Sequence, residues 1–408
     1  MIEGLPTLDD VEYSGKAVLV RLDVNSPMIN STILDTLRIE SHIPTLEELE
    51  NSKVVILAHQ SRPGKKDFTT LETHAEELSK FLGREVEYID ECFSKRVIDR
   101  ISRMKSGEIL MLENVRFYAE ERLKRSAEEH STSFLVQRLY PNFDIFVNDA
   151  FSACHRSHAS LVGFPPVLPS VVGRLVEREV SALSRVLKGK GRKVFILGGA
   201  KIEDSVRVMK NVLERGIAEK VILTGVVGNY FLMLSGVDIG EVNRVVVEDS
   251  KEGLDDREMK ELYDKFRDKI ILPVDVAVEE EGKRKDVELS EVNNKKILDI
   301  GLKTISLIKE VVPQYDVAVI NGPAGVFEDE RFALGTFETL KAVSRAGYSV
   351  VGGGHVTTAA RMLGIARKMS HVSIAGGACI RFLSGEKLVA LEVIKEYWEK
   401  KWSSRVRT

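Results

Sequence analysis

The stretch YSVVGGGHVTTAA, residues 348–360, sets the reading of the fold. A short apolar run ends in the glycines Gly352, Gly353 and Gly354. Runs this short suit strands buried on both faces of a parallel sheet. Glycine at a strand end bares the backbone, so N–H groups can approach a phosphate. His355 then stands where a nucleotide site would more naturally keep a carboxylate for magnesium.

Similar runs recur along the chain: AVLVRL (17–22), VVILAH (54–59), EILML (108–112), DIFVND (144–149), KVFIL (193–197), KVILT (220–224), KIILPVDV (269–276) and DVAVIN (316–321). Between them lie stretches such as THAEELSKFLG and FETLKAVSRAG, apolar at three- and four-residue intervals. Strands alternating with such helices predict an α/β fold built of βαβ units. The proline-rich GFPPVLPSVVG (163–173) interrupts the alternation, which resumes at Lys193. The following segment RLVEREVSALSRVLKGKG places Leu175, Val176, Val180, Leu183 and Leu187 near one helical face. The expected architecture is therefore two doubly wound parallel-sheet domains joined by a hinge helix. The expected bounds are 1–172 for the first domain, 173–190 for the connecting helix and 191–389 for the second domain. A C-terminal helix at 390–408 carries Leu391, Ile394, Trp398 and Trp402 along one stripe. It packs either on its own half or back on the first.

The 408 residues suffice for two or three domains with large cores. A 43% apolar and 30% charged composition is that of a globular chain. The net charge of −3 argues against a general nucleic-acid or membrane-surface binder. The three cysteines, Cys92, Cys154 and Cys379, lie far apart and form no CxxC pair. That pattern suits a reducing compartment without a zinc site. With no signal-like N-terminus and no membrane-length apolar run, the expected location is cytoplasmic.

The halves differ at their strand ends. In the first, RLDVN (21–25), AHQSRPG (58–64), LENVRF (112–117) and NDAFSACHRSHAS (148–160) carry Asp23, Asn25, His59, Arg62, Arg116, His155, Arg156 and His158, and TLRIE puts Arg38 at a helix start. Ligands in open α/β sheets bind beyond the carboxyl ends of strands. Arginines gathered there suit one small, strongly anionic ligand, because guanidinium forks match phosphate and carboxylate oxygens. In the second half the strand ends are glycine-rich: GGAKIEDS (198–205), TGVVGN (224–229), NGPAGVFE (321–328), GGGHVTT (352–358) and AGGACIRF (375–382). Together they predict a nucleotide site, although GxxxxGK[ST] and GxGxxG are absent. No Asp or Glu falls between Glu338 and Glu386, while Lys341, Arg345, Arg361, Arg367, Lys368 and Arg381 do. That segment suits polyphosphate but offers magnesium no local carboxylate.

The motifs RLDVN, HQSRP, LENVRF, NDAFSACHRSH, LGGAK, LPVD, NGPAGVFE, GGGH and SHVSIAGGA stand in the order found in phosphoglycerate kinases, and the chain resembles that family over essentially its whole length. The resemblance implies a first domain for 3-phosphoglycerate or 1,3-bisphosphoglycerate and a second for ATP or ADP with Mg²⁺. These small molecules are the expected partners, with no nucleic acid and no membrane. It further implies that Asp23, Val24, Asn25 and Arg38 contact the glycerate. His59, Gln60, Ser61, Arg62, Arg116 and Arg156 would hold the phosphate that is not transferred. Arg38 and Lys201 would steady the transferring group as catalytic residues. Glu328 would take the ribose, and Gly353, Gly354, His355, Val356 and Thr357 the nucleotide phosphates.

Two positions depart from the family pattern. Ser205 replaces a second lysine, so either another basic residue enters or Lys201 and Arg38 suffice. His355 replaces an aspartate that ligates magnesium. No metal-ligating side chain is expected here. Magnesium would be held mainly by phosphates and water, with His355 nearby donating to a phosphate. Both variants resemble the archaeal branch. The rival readings are a ligand-binding regulator without transfer, motivated by these same positions, and a dinucleotide-dependent dehydrogenase, which would need GxGxxG and a following acid.

Overall fold

The structure is a computed structural model and describes residues 1–404. The end of the expected 390–408 segment, residues 405–408, lies outside the described residues. The chain forms two compact units. Unit 1 comprises Met1–Ser181 and the segment from Lys387 onward, and unit 2 comprises Ala182–Glu386.

Unit 1 contains β1 (Ala17–Arg21), a small hairpin of β2 (Met28–Ile29) and β3 (Thr32–Ile33), then β4 (Lys53–Leu57), β5 (Val86–Ile89), β6 (Ile109–Leu112), β7 (Ile145–Asn148) and β8 (Ser170–Val172). Outside the hairpin these form one six-stranded sheet in the order β5-β6-β4-β1-β7-β8, parallel at every pairing. The alternation of a strand sends Val18 and Val20 into the core that contains Leu46, Leu78 and Trp398. Leu19 faces the other way, into the core of Val97, Leu135, Phe146 and Phe164. Burial on both faces explains why β1 reads as a continuous apolar run. Its neighbours β4 and β7 lie on opposite sides, so a crevice opens beyond its carboxyl end. The helix Val389–Tyr397 and the π-helical turn Trp398–Trp402 bring Trp398 and Trp402 into this unit's core.

Unit 2 contains β9 (Lys193–Leu197), β10 (Lys220–Leu223), β11 (Ile270–Ile271), β12 (Asp275–Glu280), β13 (Lys283–Glu288), β14 (Ile297–Ile300), β15 (Val317–Asn321), β16 (Tyr348–Gly352) and β17 (His371–Val372). A parallel six-stranded sheet runs β11-β10-β9-β15-β16-β17. A separate antiparallel sheet, β13-β12-β14, was not anticipated from sequence. The run KIILPVDV, read as one strand, is two strands in two sheets. Pro273 lacks the N–H that a continuing ladder needs, and the chain leaves the parallel sheet there. Likewise, the proline-rich stretch read as a domain end contains the edge strand β8.

The helix Arg174–Lys188 begins in unit 1 and ends in unit 2, because the division falls between Ser181 and Ala182. The second division falls at Glu386/Lys387, three residues before the expected end at 389. Among the described residues, no helix is long and apolar enough to cross a membrane.

Candidate active site

In unit 1 the strand-end residues converge on Asp23. Its carboxylate accepts from Arg38 Nη1 and from Ser152 Oγ, and its Oδ1 accepts the Asn25 N–H at 3.2 Å. Asn25 Oδ1 in turn accepts the Ser61 N–H at 2.7 Å, tying the loop after β1 to the loop after β4. Arg116 Nη1 donates to Ser61 O from the loop after β6. Arg156 Nε donates to His155 Nε2 at 3.1 Å in the loop after β7. Arg62 is exposed, and its charge acts on Arg156. Val24 is buried, so only its backbone is available to a ligand. Gln60 is also buried, and its amide is committed to both backbone groups of Ser26 and to His74.

Beneath this surface lies a charged layer that sequence reading did not single out. Arg21 closes β1 and is fully buried. It donates to Ser160 Oγ (2.8 Å), Leu22 O and His59 Nδ1 (3.0 Å). Its nearest carboxylate is the buried Glu121, at 3.9 Å. Glu121 accepts the Ser160 N–H and hydroxyl and lies 3.6 Å from His158 Nδ1. Burial alone would raise the Glu121 pKa. His158, Arg21 and Ser160 outweigh it and hold the group lowered, hence ionised. The only sequence signal was an arginine ending an otherwise apolar strand. Nothing distinguished Glu121.

The electrostatics explain what this layer does. Burial, then Arg156 and Arg21, push Arg116 down to about 9. Burial likewise lowers Arg156 and Arg21. Burial, then Arg21, Arg116 and Arg156, hold His59 well below the usual histidine range. His59 is therefore neutral. Its Nδ1 accepts from Arg21 and its Nε2–H is left to donate, near Asp23 Oδ1 at 3.8 Å. His59 thus offers a hydrogen bond and no charge. The guanidinium groups repel one another, and a small polyanion placed among them would relieve that repulsion.

Unit 2 builds its site with little charge. The loops after β9, β10 and β15 pack backbone to backbone. Gly198 N–H donates to Asn321 O, Gly199 N–H to Pro323 O and Thr224 N–H to Leu197 O, at 2.8, 2.8 and 3.0 Å. At Gly322 (φ +84°) a Cβ would stand 2.2 Å from Gly198 O. Lys201 is exposed at the start of the helix Ile202–Glu214. Ser205, one turn on, is buried and donates to Gly198 O at 3.3 Å. It braces the glycine turn.

Beyond β16 the chain turns at Gly353 (φ +91°) into the helix Gly354–Met362. A Cβ at Gly353 would meet Asn321 Oδ1 at 2.8 Å, whereas Gly354 opens onto space. Thr357 N–H is taken by Gly353 O and its hydroxyl by Ser373 O. The first-turn amides of Gly354, His355 and Val356 have no intrahelical partner, so they are the donors an anion would use. His355 is exposed, with its ring edge-on to Phe327 at 6.4 Å between centroids. Phe327 is followed in sequence by the exposed Glu328. Behind the loop, Leu298 O accepts the Val326 N–H at 2.8 Å. Asp299 Oδ2 accepts from Arg284 and from Gly335 N–H, each at 2.7 Å. Burial raises Asp299 to about 6 despite these partners. Unit 2 thus keeps charge behind the site as a brace. Among the described residues, no three His, Cys, Asp or Glu side chains converge as a metal cluster.

Comparison with known proteins identifies the family. A family model described as phosphoglycerate kinase matches residues 8–386. A phosphoglycerate kinase of Archaeoglobus fulgidus is 68% identical over 403 residues, covering 98% of this chain and 99% of its own. One from Methanosarcina mazei is 48% identical, covering 97% and 96%. The crystal structure of phosphoglycerate kinase from Pyrococcus horikoshii superposes with a TM-score of 0.89 at 38% identity, covering 97% of this chain and all of that one. The chain belongs to the phosphoglycerate kinase family and is a phosphotransferase of glycolysis.

Proposed function

We propose that unit 1 holds 3-phosphoglycerate or 1,3-bisphosphoglycerate and that unit 2 holds ATP or ADP with magnesium. The observation that carries this reading is the mutual repulsion of Arg21, Arg116 and Arg156 beside the Asp23–Arg38 pair, set against the charge-poor glycine loops of unit 2. Asp23, the Val24 backbone, Asn25 and Arg38 take the glycerate. Neutral His59, Arg62, Arg116 and Arg156 take the phosphate that stays; the loop backbone at Gln60 and Ser61 is tied to Asn114, Asn25 and Arg116. Glu328 takes the ribose, and the turn from Gly353 to Thr357 takes the nucleotide phosphates through the open amides of Gly354, His355 and Val356.

The residues of unit 2 fit a magnesium nucleotide. The Gly353 turn leaves a cradle that a side chain would fill, and Asn321 Oδ1 is a buried oxygen without a hydrogen-bond partner beside it. Hard oxygen donors suit magnesium, which keeps several waters and nucleotide phosphates as ligands. When bound, the ion neutralises charge on the transferring phosphates. His355 donates to a phosphate, since imidazole is a poor ligand for so hard a cation.

The attacking group is the substrate carboxylate, ionised at neutral pH with a pKa of roughly 3–4. No general base is therefore required. The chain's work is to align carboxylate and terminal phosphate, to neutralise charge with Arg38 and Lys201, and to close so that water is excluded. The cytoplasm suits Cys92, Cys154 and Cys379, which are buried cysteines far apart in sequence. The test is ATP-dependent formation of 1,3-bisphosphoglycerate from 3-phosphoglycerate in a coupled assay with magnesium varied. Magnesium-dependent turnover is expected. Binding of both ligands without turnover would replace the kinase reading by a regulator.

A further inference from the structure

Between the substrate loop and the helix Arg174–Lys188 runs a buried polar chain that no step above uses. His42 and Asp149 are both fully buried. His42 Nδ1 donates to Asp149 Oδ2 at 2.8 Å, and its Nε2 lies 3.1 Å from both the Asp23 N–H nitrogen, from which it accepts in this tautomer, and the Asp23 carbonyl oxygen. The carboxylate fixes the tautomer, because Nδ1 must carry the hydrogen it donates. Asp149 is also the acceptor for Thr45 Oγ1 (2.8 Å), Leu175 N–H (2.9 Å) and Val176 N–H (3.3 Å). Its Oδ1 thereby takes first-turn amides of the helix Arg174–Lys188, where a negative charge is favoured. Thr45 Oγ1 accepts the Arg174 N–H at 2.9 Å, and the Arg174 side chain grips Asp9, Glu48 and Glu177. Gly173 is required for this approach, since a Cβ there would stand 2.3 Å from Asp149 Oδ1.

The segment 37–48 therefore touches three things. Arg38 pairs with the Asp23 carboxylate, His42 holds the Asp23 backbone, and Thr45 and Glu48 hold the start of the helix. That helix runs on past Ser181 into the residues of unit 2. Every contact in the chain lies within unit 1. The central links, His42, Thr45 and Asp149, are hydrogen-bonded groups without solvent access, so a shift of Asp23 passed to them is not absorbed by water.

We propose that His42 is a positioning residue: through Asp149 it couples occupancy of the substrate loop at Asp23 to the set of the helix Arg174–Lys188, and thereby to nucleotide binding. This rests on the assignment of Asp23 to the substrate.

The test is calorimetric titration of 3-phosphoglycerate and of ADP, each alone and each with the other saturating, on wild type and on His42→Asn. Asparagine keeps a donor for Asp149 but falls short of the Asp23 N–H. Wild type should show the two ligands changing each other's affinity by about 5-fold or more, a usual size for coupled sites. In His42→Asn the lone-ligand affinities should stay within about 3-fold of wild type, while the coupling falls to about 2-fold or less. A merely structural histidine would lower the melting temperature and leave the coupling intact. His42→Gln gives the same reading should the asparagine variant not fold. Undiminished coupling in a folded variant, or a wild type without coupling, overturns the proposal. A wild type that binds neither ligand sinks the functional assignment, and this inference with it.

Discussion

Unit 1 and unit 2 share a parallel six-stranded plan, yet they furnish their strand ends by opposite means. Unit 1 gathers guanidinium groups, buries Arg21 and Arg116, and supports them with Glu121, Ser160 and neutral His59. Unit 2 strips its loops to glycine, presents backbone amides, and withdraws Asp299 and Arg284 behind them. The difference follows from the ligands each suits. A small polyanion is all charge, and cations can surround it. A nucleotide's phosphates are served by directional backbone donors close in, where a side chain would obstruct.

The largest expected effect breaks the reaction while sparing nucleotide recognition. Arg38→Ala should lower kcat by about 100- to 1000-fold, the usual cost of removing one group that stabilises developing charge. ADP affinity should not change. An unchanged kcat in steady-state assays would remove Arg38 from the transferring group.

The next pair sharpens the comparison by crossing it. Arg116→Met should weaken 3-phosphoglycerate binding by about 10- to 100-fold, matching the loss of one charged hydrogen bond worth about 1.5–3 kcal/mol. ADP binding should be untouched. Gly353→Val should do the converse. It forces a β-branched residue to a positive φ, at about 1–3 kcal/mol, and drives its Cβ against Asn321. Nucleotide affinity should fall about 10- to 100-fold, with 3-phosphoglycerate binding unchanged. Calorimetry on both variants checks the pair, and an effect of either on the other unit's ligand breaks the division of labour.

How far the sequence carried this comparison follows from what period and composition can express. Buried parallel strands read directly as apolar runs, and the glycines and arginines read at strand ends do stand in the loops beyond them. KIILPVDV misled because an apolar run does not show that Pro273 ends one sheet before Asp275 begins another. The support beneath unit 1 stayed hidden because Glu121 and Ser160 meet Arg21 only through the tertiary fold. Ser205 looked like a missing lysine, but its hydroxyl turns inward to Gly198 O. Gln60 similarly looked like a ligand side chain and is committed to Ser26 and His74.

The smallest expected effect concerns the brace behind unit 2. Burial raises the Asp299 pKa from 3.8 to about 6, so the folded state binds the proton more tightly than the unfolded state. Its contribution is fully present below the unfolded value and is lost as pH rises through 6. On going from pH 7 to pH 5, wild type should gain about 1 kcal/mol relative to Asp299→Asn. Urea unfolding of both proteins at the two pH values measures this. Parallel pH dependences would show that Asp299 is ionised throughout.

Hydrogen exchange footprinting with each ligand alone tests the division of labour most directly. The account predicts that 3-phosphoglycerate protects amides at 22–26, 59–62, 114–117 and 152–158. ADP should protect those at 198–201, 321–328 and 353–357. Protection of 353–357 by 3-phosphoglycerate alone, or of the arginine loops by ADP alone, would contradict it.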